Sequence, residues 1–152
     1  MNEALPLGLD QFAQGACEYF DHYKDELTAR IVINIYLAER EKAISAIVDT
    51  GAPWCITNPL EIRGIASQVD RLYPSAPLSI RGMTYPGWLY RVPIMIPAME
   101  GESLNVDATA FVPDLRPDET WPHPNFIGLE GFLNRIYFAI NPIQNLFYFG
   151  AT

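Results

Sequence analysis

The chain has 152 residues, 49% of them hydrophobic and 18% charged, with 10 Lys and Arg against 18 Asp and Glu for a net charge of -8. That is the composition of one globular domain able to bury a core, and it excludes a disordered segment. The acidic balance argues against a nucleic-acid partner, because that affinity comes largely from Lys and Arg displacing counterions from phosphates.

The cysteines are Cys17 and Cys55 and the histidines His22 and His123. So few, so scattered, they match neither a disulfide scaffold nor a zinc-ligand spacing, and a reducing compartment with no metal and no cofactor is expected. The N-terminal MNEALPLGLDQFAQ has acids and no basic stretch before an apolar core, so no signal peptide is expected. No apolar run approaches the ~20 residues a membrane span needs. The expected product is soluble and cytoplasmic, with no membrane partner.

In chain order, residues 1–27 read as an N-terminal extension docked on the core, ahead of a domain over 28–152. Leu9, Phe12, Ala13 and Ala16 stand at helical spacing, against Gly8 and Gly15. Residues 31–36 (IVINIY) are mostly apolar and β-branched on both alternating sets, which predicts a strand covered on most of both faces. Ala38-Glu39-Arg40-Glu41 is a charged turn, and Lys42 to Val48 returns as the second strand of a hairpin, ending on Asp49. Pro53 and Pro59 bracket a short extended piece, and residues 60–72 suit a short helix broken near Gly64.

Leu78-Ser79-Ile80 predicts a brief strand leading into Arg81-Gly82-Met83-Thr84-Tyr85-Pro86-Gly87-Trp88, expected to form the tip of a long hairpin returning through Leu89 to Ile96. Met99 to Glu102 is expected to turn, and Leu104 to Val112 alternates as a strand. Residues 113–124 form a proline-rich loop held to the body by Trp121. Phe126-Ile127-Gly128 predicts a short apolar strand, residues 129–135 one or two helical turns, and residues 136–149 a last hairpin around Asn141 to Asn145. Short strands punctuated by Gly and Pro predict a mostly β fold, a small closed or partly closed β-barrel with one or two short helices.

Two features then stand together: the apolar strand ending in AIVDTGA, and the later FIGLEGFL followed by NRIYFAINP, with the glycine-flanked RGMTYPGW between them. The order resembles the retropepsin-like aspartic peptidases, single-domain homodimeric relatives of pepsin, over roughly residues 28–150. The resemblance implies a retropepsin-like, pepsin-half barrel and an aspartic endopeptidase cutting extended peptide or unfolded protein. Asp49 would be catalytic, one per subunit, with Thr50 and Gly51 supporting it and Ala52 and Gly128 structural beside it. Gly82, Met83, Thr84, Tyr85, Gly87 and Trp88 would form the flap that grips substrate.

The chemistry needs two carboxylates sharing one proton, since like charges so close cannot both ionise. The chain carries one Asp-Thr-Gly. The second carboxylate would therefore be Asp49 of the partner subunit, across a two-fold axis. The family commonly has an acid four positions after the catalytic aspartate, paired with an arginine after the later glycine; here those positions are Pro53 and Leu129. Two plainer readings stand beside the catalytic one. Asp-Thr-Gly is also ordinary turn chemistry after a buried strand, and the barrel could be a catalytically silent binding or dimerisation module. Cys55, flanked by Trp54 and Ile56, reads as a buried, inert thiol.

Overall fold

Alternation of β-branched residues builds the centre of the fold. The computed structural model describes residues 13–21, 30–63, 70–72 and 77–152. Val32–Leu37 forms β2, burying Ile33, Ile35 and Leu37 on one face while Asn34 on the other is exposed. It pairs antiparallel with β3 (Ile44–Val48), Val32 opposite Ile47 and Ile35 opposite Ile44. The charged turn between them carries Ala38 at φ 49.

The longest pairing joins β8 (Gly87–Ile96) to β10 (Leu104–Pro113), running in register from Gly87 opposite Pro113 to Ile96 opposite Leu104. Between these hairpins lie two short strands, β4 (Cys55–Ile56) and β11 (Asn125–Ile127). β4 runs parallel to β10, and β11 runs parallel to β3 and antiparallel to β4. Because β8 also pairs with β2, the order β10-β4-β11-β3-β2-β8 returns to β10 and closes a six-stranded barrel. Closure removes exposed strand edges and encloses one core. Val92, Ile94, Ile96, Val106, Ala108 and Ile127 fill it. β5 (Asp70–Arg71) adds to β8 outside the ring.

A second sheet covers the barrel in the order β12-β13-β1-β9, from Ile136–Asn141, Leu146–Ala151, Gly15–Glu18 and Glu100–Gly101. It docks Phe147 and Phe149 onto the same core, together with Phe132 and Leu133 from the turn before it. Here the helical spacing around Ala13 and Ala16 misleads. Residues 15–18 are a strand, pairing Gly15 with Phe149 on one side and Gly101 on the other. A Cβ on Gly15 would stand 2.3 Å from the Glu102 carbonyl oxygen, so the glycine that weakens a helix allows this close strand contact. Leu9 and Phe12 lie outside the described residues. The turn expected over Met99 to Glu102 contributes β9 to this sheet.

Helical structure among the described residues is one turn of α-helix, α1 (Pro59–Arg63), and a 3-10 turn at Leu133–Arg135. The helix expected over 60–72 starts on Pro59, and its remainder falls mostly outside the described residues. No helix among the described residues is long and apolar enough to cross a membrane.

Candidate functional site

β3 runs in parallel register with β11, Val48 opposite Ile127, and the ladder continues one step further. The Asp49 N–H donates to the Ile127 carbonyl at 2.9 Å, which fixes the backbone of Asp49 to the wall of the barrel. Beyond it the chain folds back on the aspartate. The Gly51 N–H donates to Asp49 Oδ1 at 2.9 Å and the Ala52 N–H to the Asp49 carbonyl at 3.1 Å. This is turn chemistry in which the side chain caps its own loop. The second carboxylate oxygen takes no part in it. A Cβ on Gly51 would lie 3.2 Å from Oδ1, so a small residue suits that position.

The loop is then stitched to the segment after β11. Leu129 N–H donates to the Ala52 carbonyl and Glu130 N–H to the Pro53 carbonyl, each at 2.8 Å. Between these bonds Gly128 lies so close that a Cβ would stand 2.1 Å from the Trp54 carbonyl oxygen. Only glycine permits that approach. Pro53 and Leu129, the positions without the charges common in retropepsins, sit in this backbone contact, which needs no side-chain charge. The Cys55 thiol is buried behind it and pushed up to about 12, burial being the dominant cause. A thiol so held is not a nucleophile at neutral pH.

Asp49 is half-buried and faces a cleft of about 280 Å³. Gly51, Ala52 and Pro53 line it from the Asp49 loop, and Leu78, Ser79, Ile80 and Arg81 from a hairpin. That hairpin is β6 (Leu78–Ile80) paired with β7 (Met83–Tyr85), turning at Arg81 (φ 51) and Gly82 (φ 82). Positive φ at both central residues makes the tight two-residue turn that matches strand twist. The hairpin tip is therefore shorter than the expected Arg81-to-Trp88 stretch.

The expected flap residues separate accordingly. Gly82, Met83 and Thr84 are at the exposed tip and return arm, outside the lining of the Asp49 cleft. Tyr85 turns back onto the proline-rich loop. Gly87 and Trp88 belong to β8: a Cβ on Gly87 would lie 2.4 Å from the Phe111 ring, and Trp88 carries the Arg71 guanidinium 4.0 Å from its ring centroid. Gly87 and Trp88, expected in the flap, stand at the start of β8 opposite Pro113 and Val112, beyond the two-residue turn. The cleft-facing residues 78–81 comprise the expected lead-in strand Leu78-Ser79-Ile80 and Arg81, the first residue of the expected tip; Gly82 is the turn signal, whereas Arg81 takes positive φ without the Asn, Asp or Gly usual there. Arg30 also lines the cleft and carried no sequence signal.

A second, smaller cluster packs under the hairpin: Ala52, Ile56, Leu78, Phe111 and Trp121. Tyr85, Trp121 and His123 meet edge to face, with ring centroids 5.0 Å apart for Tyr85–Trp121 and 4.9 Å for Trp121–His123. Burial foremost, and the nearby Arg81 charge second, hold the His123 pKa below its ordinary value. A larger cleft, about 530 Å³, lies between α1 and the loop at 113–121, but Asp49 does not line it. Among the described residues, no three His, Cys, Asp or Glu side chains gather as a metal site.

No family model matches the sequence, and no curated protein matches it. In three dimensions the chain is similar to a retropepsin-like aspartic protease from Rickettsia conorii, with a TM-score of 0.54 and 16% identity, covering 91% of this chain and 94% of that one. At that identity the likeness is one of fold: a mostly β chain closed into a retropepsin-like barrel, with one short α-helix among the described residues.

Proposed function

We propose that this chain is an aspartic endopeptidase that acts as a homodimer on extended peptide, with Asp49 paired against the partner's Asp49. The observation that carries the reading is the placement of Asp49. It follows a barrel strand, sits on a loop locked to Gly128, and lines a cleft that residues 78–81 of the hairpin also line.

One Asp49 carboxylate takes a proton from a water molecule, whose oxygen attacks the scissile carbonyl carbon. The other, protonated, donates its proton to the carbonyl oxygen and yields a neutral tetrahedral diol. Collapse re-forms the carbonyl, breaks the C–N bond, and delivers a proton to the leaving amine, so acid and amine products form with the pair reset. Substrate would lie as an added strand between the hairpin arm and the Asp49 loop, side chains alternating into pockets. Two free, buried cysteines suit a reducing, cytoplasmic setting.

The deciding experiment replaces Asp49 by Asn and measures cleavage of a denatured protein from acidic to neutral pH. Loss of cleavage supports the reading, and equal cleavage by the variant ends it. A catalytically silent binding or dimerisation module is the second reading, favoured by the uncharged Pro53 and Leu129. Sedimentation at micromolar concentration separates the two, since a strict monomer cannot bring two Asp49 side chains together.

A further inference from the structure

We propose that His123 is a positioning residue for peptide bound at the Asp49 cleft, acting through Tyr85 as the latch of the 78–85 hairpin. That role rests on the peptidase reading for what the cleft holds, while the latch stands on the fold.

The hairpin is held to the body by few contacts. Among the described residues β6 and β7 pair only with each other, as a two-stranded sheet separate from the barrel. Nothing lies within 4 Å of where a Cβ on Gly82 would stand, and Met83 beside it is 62% exposed. A lone two-stranded hairpin is marginal in water, so whatever docks it decides where it lies. Leu78 supplies the apolar docking, buried in the small cluster with Ala52, Ile56, Phe111 and Trp121. Among the described residues, the hydrogen bond that ties 78–85 to another element is the one between Tyr85 and His123. Tyr85 stands opposite Leu78 in the ladder, and Leu78 lines the cleft with Ser79, Ile80 and Arg81. Holding Tyr85 therefore holds the cleft-lining arm one cross-strand step away. Trp121 backs the pair, its ring edge to face with both Tyr85 and His123.

The latch is also sensitive to charge. A neutral imidazole bonds the hydroxyl through Nε2 in either tautomer, accepting from it or donating to it. From the hairpin, the Tyr85 hydroxyl and the Arg81 charge act on His123; from its own loop comes Trp121, which does not titrate. Among the described residues no carboxylate offsets Arg81 there. Protonated His123 would thus place a second positive charge near one carried by the hairpin it holds. Burial first and Arg81 second keep its pKa below the ordinary 6.5 while the hairpin is docked. Undocking relieves both, so protonation favours the undocked hairpin, and the docked population is lost as pH falls through the depressed value. Segments that gate a cleft belong to the weakly held part of a fold, and a tether of one hydrogen bond is of that strength.

The test compares the full wild-type chain with Tyr85→Phe, His123→Ala and His123→Gln. Gln keeps a hydrogen-bonding group for the Tyr85 hydroxyl but does not titrate. Two quantities are measured: exchange protection of the 78–85 amides, and KM and kcat on reduced, alkylated lysozyme. At about pH 7.5, Tyr85→Phe and His123→Ala should raise KM about three- to tenfold, the worth of one hydrogen bond, with kcat within about twofold of wild type. Protection of the hairpin amides should fall in the same two variants. His123→Gln should keep both near wild type at that pH, and the wild-type KM should rise relative to that of His123→Gln between about pH 7.5 and about pH 5. An unmoved KM in Tyr85→Phe and His123→Ala overturns the proposal, as does a wild-type to His123→Gln ratio that is the same at both pH values. Cleavage that still depends on Asp49 then leaves the peptidase reading standing. If the wild type cleaves nothing, the peptidase reading fails and exchange alone decides the latch. Protection lost in Tyr85→Phe and His123→Ala but kept in His123→Gln supports it, and equal protection in all four chains overturns it.

Discussion

The Tyr85 hydroxyl lies 3.1 Å from His123 Nε2, joining the return arm of the hairpin to the proline-rich loop across 38 residues of sequence. Their rings also meet edge to face, with centroids 5.7 Å apart, so the contact is both polar and aromatic. One arm of the hairpin is tied down by this contact while the other lines the Asp49 cleft.

Removing the hydroxyl in Tyr85→Phe keeps the ring packing and deletes the bond. The expected cost is about 0.5–1.5 kcal/mol, read as a lower urea midpoint. Faster hydrogen exchange should be confined to the amides of 78–85 and the loop it contacts.

His123 also links stability to pH. Its folded-state pKa lies below the ordinary 6.5, so the unfolded chain binds its proton first as pH falls. The contribution is fully present above about pH 6.5 and is lost as pH falls through the depressed folded value. In His123→Gln the urea midpoint should change less between about pH 7.5 and about pH 5 than it does in the wild type. An unchanged pH dependence would contradict this.

Gly128→Ala and Gly82→Ala should differ sharply. At Gly128 a Cβ would stand 2.1 Å from a backbone oxygen, which cannot rotate aside, so loops 49–54 and 128–130 must part. A loss of about 3 kcal/mol or more is expected, with loss of cleavage. At Gly82 no atom lies within 4 Å, and the cost is the strain of φ +82 alone, about 1 kcal/mol. Urea unfolding of the two variants checks the order.

Asp49→Asn should separate stability from activity. The amide oxygen of Asn can still accept the Gly51 N–H, so the turn survives. The unfolding free energy should move by less than about 1 kcal/mol while cleavage disappears. A collapse in stability would assign Asp49 to the turn alone.

The thiols should be silent in the folded protein. Burial pushes Cys17 up to about 11 and Cys55 up to about 12. Neither should react with a thiol reagent at neutral pH until denaturant is added, when both titrate. Fast labelling of the native chain would show that the barrel opens at these positions.

Much of the frame was legible from short-range patterns. Alternation in 31–36 and 104–112, the prolines around 53–59, and the glycine stop after Phe126-Ile127 are local signals, and each marks an element that formed. Asp49 was legible for the same reason, as a polar end to an apolar strand. The hairpin at 78–85 was found but drawn too long. The two glycines of RGMTYPGW look alike in sequence, whereas Gly82 turns the chain and Gly87 admits the Phe111 ring.

What the sequence determined by itself was therefore the positions of most of the strands, the mostly β class and Asp49 as the polar end of an apolar strand. Local backbone preference and period-two burial act within a few residues and need no partner. Tertiary structure alone decided that residues 15–18 join a sheet, that Arg30 and Arg81 share the cleft of Asp49, and that Tyr85 meets His123. Those contacts join segments far apart in sequence, as does the β8–β10 pairing that closes the ring, so no local pattern specifies them.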